Sequence, residues 1–261
     1  MKKILLLILF VAASATARPA QHRKPKAAPR TPPSVLFYNL TDDRAVLMRN
    51  PDQQRPLASI TKLMTAMVSL DQDSDLQREV KFRGRYMPRG HVFNFLLIRS
   101  DNEAAEFLAR NHPGGRSAFI QEMNIKSREL RMHRTFFDDP SGRSSLNVTT
   151  VYDINIMLVN SLKYSAITEI SPVAEKTLTM PVQRRRQTRQ QDIHLRNTNH
   201  QLLFEFNTAI VSKTGFTNAA GRCVAMIVEK HGRRYSVIVL GTDNVVQRTR
   251  TVEDLIYHQA E

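Results

Sequence analysis

The sequence predicts an α+β fold, with an antiparallel sheet flanked by helices and joined to an all-α lobe. Short apolar runs bounded by turn residues lie near both ends of the chain and are typical of strands. The middle of the chain instead repeats apolar residues at helical spacing. Because strands and helices come in separate blocks rather than in alternation, an antiparallel sheet with helices packed on it is favoured.

Two strands begin the domain, over residues 35–38 and 45–48, and Asp42 and Asp43 between them indicate a hairpin turn. From residue 59 to residue 70, apolar side chains recur every three or four positions, which predicts a helix. We expect this helix to be buried, because its apolar face is broad.

Apolar residues recur at helical spacing in the middle of the chain, whereas short apolar runs typical of strands occur near its end. Helices are predicted over residues 91–98, 102–110, 116–130 and 150–162, and strands over residues 209–213, 222–229 and 234–240. His231 and Gly232 turn the last two strands into a hairpin, and a surface helix follows from about Val245. The helical insert is therefore expected over about residues 83–170.

The N-terminal residues predict two segments that precede the folded domain. Residues 1–17 combine two lysines, an apolar run too short to span a bilayer and an Ala-x-Ala site, which is the pattern of a cleaved signal peptide. Residues 18–33 mix prolines with Lys, Arg and Ala, as in an extended linker. We expect residues 34–261 to form one domain without a membrane anchor, in a periplasmic or secreted protein.

The chain is strongly basic, with a formal net charge of +14, and loss of Lys2 and Lys3 with the signal peptide leaves 14 − 2 = +12. Such a field attracts polyanions, which outside the cytoplasm are wall polymers, acidic glycopeptides and anionic membrane surfaces. Residues 183–189 are predicted to form a basic loop that either is solvated or contacts such a surface. No nucleic acid is expected as a partner, because the chain has no Trp and no recognition motif.

Cysteine and histidine usage argues against redox and metal chemistry. Cys223 is the one cysteine, so no internal disulfide can form. It is expected to pack in a strand, with an intermolecular bridge or a catalytic thiol as the alternatives. The eight His residues have no H-x-x-x-H or H-E-x-x-H spacing, and no Gly-rich phosphate loop occurs, so we expect neither a metal nor a cofactor.

Three short motifs point to one kind of chemistry. Ser59-Ile60-Thr61-Lys62, Ser100-Asp101-Asn102 and Lys213-Thr214-Gly215 occur in that order along the chain. The S-x-x-K pattern alone is common by chance, and Ser145-Leu146-Asn147 is a second S-x-N. The chance that both full tripeptides, SDN and KTG, occur together is on the order of 10⁻³. The three motifs together therefore indicate a function, although no single motif does.

Ser59 and Lys62 are one helical turn apart and therefore share a face. A serine hydroxyl becomes an effective nucleophile when a base takes its proton, and a lysine can be that base only if burial and a neighbouring cation lower its pKa. A serine at a helix N-terminus also aims its backbone N–H at a developing oxyanion. The alternatives are a capping serine and a surface lysine, although the apolar neighbours of Lys62 favour burial.

The other two motifs supply polar groups for a substrate. Ser100 is interpreted as a proton relay and Asn102 as a hydrogen-bond partner of a substrate amide, and the same segment can cap the helix that follows. Lys213 and Thr214 suit a carboxylate, and Gly215 leaves room for a peptide to approach the backbone. The alternative for the last motif is a strand end followed by a turn.

With these motifs the chain resembles the low-molecular-mass penicillin-binding proteins, most closely the D-alanyl-D-alanine endopeptidases and carboxypeptidases. The similarity runs from about residue 34 to residue 257 and includes PLASITKLMTA at residues 56–66 and KTGFT at residues 213–217. The resemblance implies a β-lactamase/transpeptidase-like fold and a serine peptidase that acts on D-alanyl bonds of peptidoglycan stem peptides, with β-lactams as covalent inhibitors. It also implies that Ser59 is acylated, that Lys62 is the base, and that the backbone N–H groups of Ser59 and Phe216 form the oxyanion hole.

Departures from the family pattern narrow the expected activity. Carboxypeptidases of the family often carry a further β-domain and a C-terminal anchor, and neither is found here, so cleavage of D-alanyl-diaminopimelyl cross-links is favoured over trimming of terminal D-alanine. Class A β-lactamases carry Glu-x-x-Leu-Asn, where this chain has Arg143 in place of Glu, so rapid β-lactam hydrolysis is not expected. A non-enzymatic wall-binding protein is disfavoured because all three motifs are complete. Residues 139–142 resemble the family's loop at the cleft rim and are assigned no chemistry.

Overall fold

The computed structural model describes residues 31–184 and 187–260. The predicted signal peptide and residues 18–30 of the predicted linker lie outside this part of the chain. The strands are β1 (Ser34–Asn39), β2 (Arg44–Arg49), β3 (Arg55–Pro56), β4 (Glu79–Phe82), β5 (Arg85–Pro88), β6 (Val148–Thr149), β7 (Glu175–Arg184), β8 (Gln187–Arg196), β9 (Ala209–Thr217), β10 (Gly221–Lys230) and β11 (Arg233–Thr242). The helices are α1 (Thr61–Gln72), α2 (Arg89–Leu97), α3 (Asn102–Arg110), α4 (Gly115–Glu129), α5 (Val151–Ser161), α6 (Ser165–Ile170), α7 (His200–Glu205) and α8 (Val245–His258).

The main sheet is antiparallel and has the strand order β2-β1-β11-β10-β9. Strand β1, from the start of the domain, pairs with β11 from its end, so that Leu36 lies opposite Ile238. These two residues face a cluster that includes α1, and their neighbours Phe37 and Val237 face a second cluster that includes α8. Since alternate residues of a strand point to opposite faces and both faces are buried, the strands are apolar along most of their length.

The predicted fold class and most of its elements are confirmed. The hairpin of β1 and β2 and the strands β10 and β11 occur where the apolar runs indicate. The helices predicted over residues 91–98, 102–110, 116–130 and 150–162 correspond to α2, α3, α4 and α5, with ends that differ by at most two residues. In the part of the chain that the structure describes, no helix combines the length and apolarity needed to cross a membrane.

Helix α1 corresponds to the helix predicted over residues 59–70, and it is deeply buried, as expected. Every residue from Thr61 to Leu70 is buried. Ser59 lies just before α1, in the one-turn 3₁₀ helix Ala58–Ile60, and not in the first turn of the α-helix itself. This turn packs against β9. Strand β9 also extends to Thr217 rather than ending at residue 213, so the Lys213 motif lies inside a strand.

The hairpin of β7 and β8 was not predicted. The basic segment over residues 183–189, predicted as a loop, instead contains the ends of these strands, where Arg184 pairs with Gln187. Leu178 is buried in the core, whereas the outer face of the hairpin is polar and includes a hydrogen bond from Thr179 to Asp192. Few apolar residues mark each strand, which explains why hydropathy alone missed the hairpin. The short strands β4, β5 and β6 also interrupt or border the lobe that was predicted to be all helical.

The loop before β6 is held close to the 3₁₀ turn by a glycine. Gly142 has a φ of +83°, and a β-carbon at this position would lie 1.8 Å from the carbonyl oxygen of Ala58. Gly232, in the turn between β10 and β11, has a similar φ of +75° but no atom within 4 Å of the same position. The two glycines share a backbone conformation and differ in the space around them.

This pair provides a test of the packing. We expect Gly142→Ala to lower the free energy of unfolding by more than about 3 kcal/mol, because the methyl group would collide with rigid backbone. Gly232→Ala should lower it by only about 1–2 kcal/mol, the cost of a left-handed conformation alone. Urea denaturation of both variants measures the difference, and equal losses would contradict the close packing of the loop on the Ser59 turn.

Candidate active site

Ser59 is half-buried between two fully buried neighbours in the 3₁₀ turn. Ala58, directly before it, has a φ of +48°, a left-handed conformation that residues with a side chain seldom adopt. Such conformations persist where the surrounding structure enforces them, and they are concentrated at functional sites. Here the surrounding structure is the Gly142 loop on one side and strand β9 on the other.

Lys62 extends from the first turn of α1 and has no exposed surface. Its Nζ donates hydrogen bonds to Ser59 Oγ at 2.9 Å, to Asn102 Oδ1 at 2.7 Å and to the carbonyl oxygen of Ser141 at 2.6 Å. These three contacts use all the donors of an ammonium group. When the group loses a proton, the lone pair of the amine is free to receive the proton of the Ser59 hydroxyl.

Burial lowers the pKa of Lys62 from its usual 10.5 to about 7, because the apolar interior disfavours the charged form. The carboxylates of Asp139 and Asp101 act in the opposite direction and raise the pKa of Lys62. From the sequence we expected a neighbouring cation to help lower the pKa of Lys62, whereas in the structure burial alone lowers it. A pKa near 7 leaves a large neutral fraction at neutral pH, as a general base requires.

The loop over residues 139–142, to which the sequence analysis assigned no chemistry, holds one of the three partners of Lys62. The Asp139 carboxylate accepts hydrogen bonds from the backbone N–H groups of Ser141, Gly142 and Ser144. These bonds orient the Ser141 carbonyl towards Lys62. The order Asp-Pro-Ser-Gly is a turn pattern in which an Asp side chain bonds nearby N–H groups, so the turn was predictable but its contact with Lys62 was not.

Lys213 and Ser100 form the second pair of the site. Lys213 is 1% exposed, and its Nζ donates to Ser100 Oγ and to the carbonyl oxygen of Thr214, each at 2.9 Å. Burial lowers the pKa of Lys213 well below its usual value, and the positive charges of Lys62 and Arg248 lower it further. The predicted cap is also present, since Asp101 Oδ1 accepts from the backbone N–H of Ala104 at the start of α3.

Gly215 allows β9 to lie directly against the Ser59 turn. A β-carbon at Gly215 would lie 2.9 Å from the carbonyl oxygen of Leu57 and 3.0 Å from the backbone nitrogen of Ser59. Any side chain here would therefore push the strand away from the serine. Phe216 follows in the strand and is 44% exposed at the mouth of the cleft.

A cavity of about 370 Å³ is lined in part by Ser59, Ser100, Thr214 and Gly215. The structure thus brings the predicted motifs together: the Lys62 ammonium bonds Ser59 and Asn102, and Lys213 bonds Ser100. Among the described residues, no group of three or more His, Cys, Asp or Glu side chains is arranged to hold a metal ion. Cys223 is buried and its thiol pKa is raised to about 11 by burial, so it is not a reactive thiolate at neutral pH.

Three polar residues that line the cavity were not predicted from the sequence: Thr198, Arg222 and Arg248. Thr198 Oγ1 accepts a 2.7 Å hydrogen bond from the Thr214 hydroxyl. Arg248, on α8, is buried, and its Nε has no hydrogen-bond partner in the part of the chain that the structure describes. Burial together with the charge of Arg222 lowers the pKa of Arg248 to about 10. Helix α8 was predicted as a surface helix, and no sequence pattern distinguishes Arg248 from the other basic residues nearby.

The sequence profile of the peptidase S11 family, described as D-alanyl-D-alanine carboxypeptidase, matches residues 73–244. The chain is 34% identical over 224 residues to the D-alanyl-D-alanine endopeptidase of Escherichia coli, covering 79% of this chain and 70% of the relative. It is 33% identical over 223 residues to the enzyme of the same name from Pseudomonas aeruginosa, with the same coverage. The chain belongs to this family of serine D,D-peptidases.

The fold agrees with solved structures of penicillin-binding proteins. A penicillin-binding protein from Listeria monocytogenes, in its ampicillin-bound form, superimposes with a TM-score of 0.73 at 24% identity, over 86% of this chain and 95% of that chain. The family profile spans Ser100, Asn102 and the Lys213 motif but begins after Lys62. The roles of Ser59 and Lys62 therefore depend on the geometry of the site described above.

Proposed function

We propose that this D,D-peptidase is an endopeptidase that hydrolyses D-alanyl-diaminopimelyl cross-links of peptidoglycan through an acyl-Ser59 intermediate. The observation that carries the proposal is the contact between the buried amine of Lys62 and Ser59 Oγ at 2.9 Å. The names of the two relatives above, both endopeptidases, favour cross-link cleavage. Trimming of terminal D-alanine is the second candidate, because the family profile carries the carboxypeptidase description.

In the first half of the reaction, Ser59 Oγ attacks the D-alanyl carbonyl carbon while neutral Lys62 takes the hydroxyl proton. The negative charge on the carbonyl oxygen is stabilised by the backbone N–H groups of Ser59 and Phe216. The C–N bond then breaks, and the proton that Lys62 took passes to the leaving amine through the Ser100 hydroxyl, which is held by Lys213, so that Lys62 is neutral again. In the second half a water molecule attacks the acyl carbon, Lys62 takes its proton, and Ser59 leaves with a proton restored.

Substrate binding follows from the same geometry. Asn102 Oδ1 accepts from Lys62, which leaves the Nδ2 group to donate to the amide carbonyl of the bound stem peptide. On binding, the Thr214 hydroxyl turns its O–H from Thr198 to the carboxylate next to the scissile bond, and Arg248 and Lys213 supply positive charge. Terminal D-alanine and the D-centre of diaminopimelate both carry such a carboxylate, so this contact serves either activity.

The same acylation chemistry makes β-lactams covalent inhibitors. Rapid release of the acyl group is not expected, because Arg143 is exposed where a class A β-lactamase has its deacylating Glu. Asn147 stands where the Glu-x-x-Leu-Asn segment of a class A β-lactamase has its Asn. It is buried and donates to Thr61 Oγ1 and to the Asp139 carbonyl oxygen, which supports a structural role. We further propose an extracytoplasmic location from the predicted signal peptide, and contact of the basic β7–β8 hairpin with an anionic wall or membrane surface.

Covalent labelling tests the nucleophile and the base. A fluorescent penicillin should label the wild-type protein on one serine, and Ser59→Ala should abolish labelling without loss of the folded state by circular dichroism. Lys62→Arg should retain the positive charge and lose acylation by orders of magnitude, because guanidinium does not give up its proton. Labelling that survives Ser59→Ala would remove this residue from its role, and an active Lys62→Arg enzyme would require another base.

Digestion of purified peptidoglycan tests the choice of bond. Cross-linked dimer muropeptides should fall to monomers, as read by mass spectrometry, while the acyl-enzyme from penicillin persists for minutes or longer. Amidation of the carboxylate next to the scissile bond should weaken turnover ten- to a hundredfold, from the loss of about 1.5–3 kcal/mol of charge-assisted hydrogen bonding. Intact dimers alongside pentapeptides that lose D-alanine would favour the carboxypeptidase, and rapid repeated turnover of penicillin would favour a β-lactamase.

A further inference from the structure

Arg222 occupies a fixed position at the mouth of the cavity. It lies in β10 directly opposite Phe216 of β9. Its guanidinium carbon is 3.7 Å from the centroid of the Phe216 ring, and Arg222 itself is half-buried. A guanidinium stacked on an aromatic face is held in place while its N–H edges remain available for hydrogen bonds. The stack therefore presents a preorganised cation to the cavity that Ser59 also lines.

The cavity contains more positive charge than one carboxylate requires. Arg222 and Arg248 both line it, and the buried Lys213 donates to Ser100, which also lines it. Among the described residues, none that lines the cavity is Asp or Glu. The two guanidinium groups are close enough for the charge of Arg222 to lower the pKa of Arg248. Like charges gathered without a lining carboxylate favour the binding of an anionic ligand, and two arginines suit a ligand with two anionic groups.

Thr214 and the Arg222–Phe216 stack mark two separate binding points along β9. Thr214 and Phe216 are two residues apart on one face of β9, a distance of roughly 6–7 Å at the rise of a strand. A carboxylate bound at Thr214 would therefore leave Arg222 free to reach a second anionic group farther along the leaving part of the substrate. The leaving diaminopimelyl residue has two carboxylate-bearing carbons joined by three methylene groups, which is a comparable span, whereas a D-alanine leaving group has one carboxylate.

We infer that Arg222, stacked on Phe216, is a specificity-determining residue that binds a second carboxylate on the leaving strand of a cross-linked peptide. The inference rests on the proposed function and explains how the cleft selects a diamino dicarboxylate over D-alanine as the leaving group. The contribution is to binding of the leaving strand, so acylation by a small β-lactam does not depend on Arg222.

The test compares three substrates with the mature enzyme. The first is a tetrapeptide–tripeptide dimer whose leaving diaminopimelyl residue carries two free carboxylates. The second is the same dimer with the carboxylate remote from the scissile bond amidated, and the third is a pentapeptide that releases D-alanine. Arg222→Gln should lower kcat/KM about tenfold for the first substrate, mainly through KM, and by less than about twofold for the other two. Penicillin acylation should be unchanged.

Two further variants serve as controls. Arg250→Gln removes the same charge from an exposed position on α8 and should leave all three rates within about twofold of wild type. Arg222→Lys, which keeps the charge but loses the planar stack, should lie between wild type and Arg222→Gln. Equal losses on all three substrates, or no loss on the first, would overturn the role of Arg222. A wild-type enzyme that leaves dimers intact would overturn both this inference and the proposed function.

Discussion

The buried amine of Lys62 joins three segments that are far apart in the sequence. It bonds Ser59 from the 3₁₀ turn, Asn102 from the start of α3 and the Ser141 carbonyl from the loop before β6. Burying the charged ammonium of Lys62 in an apolar interior costs desolvation free energy. Hydrogen bonds offset this cost only when every N–H donor has a partner. The same burial that makes the position costly lowers the pKa of Lys62 to about 7 and gives the lysine the properties of a base.

The rest of the cleft depends on how closely β9 and the Gly142 loop approach the Ser59 turn. Gly215 and Gly142 each occupy a position where a β-carbon would collide with the backbone of that turn. Between these two contacts the turn is held with Ala58 in a left-handed conformation, and the serine after it faces the cavity. The chemistry therefore depends on backbone packing as much as on the identity of the reacting groups, because a displaced serine would lose its contact with Lys62.

Local patterns in the sequence were sufficient for the motif residues and for most of the fold. Ser59, Lys62 and the Lys213 motif were found from short spacings, and the long helices from their apolar period. Contacts between distant segments could not be read in this way. Asp139 acts through a loop 77 positions after Lys62, and Arg248 approaches the cleft from a helix whose pattern is that of a surface element. The β7–β8 hairpin was missed because its outer face is polar.

The mechanism requires Lys62 to be largely neutral at neutral pH as a result of its burial. NMR titration of the lysine Nζ groups in ¹⁵N-labelled protein measures this directly, with Lys62→Arg to assign its resonance. Lys126 is an internal reference, since its hydrogen bond to Asp71 helps to raise its pKa above the usual value.

We expect the Lys62 resonance to titrate near pH 7, while the pKa of Lys126 lies above its ordinary value. A Lys62 resonance that stays in its charged form up to about pH 10 would contradict the account, because the group then could not take the proton of Ser59.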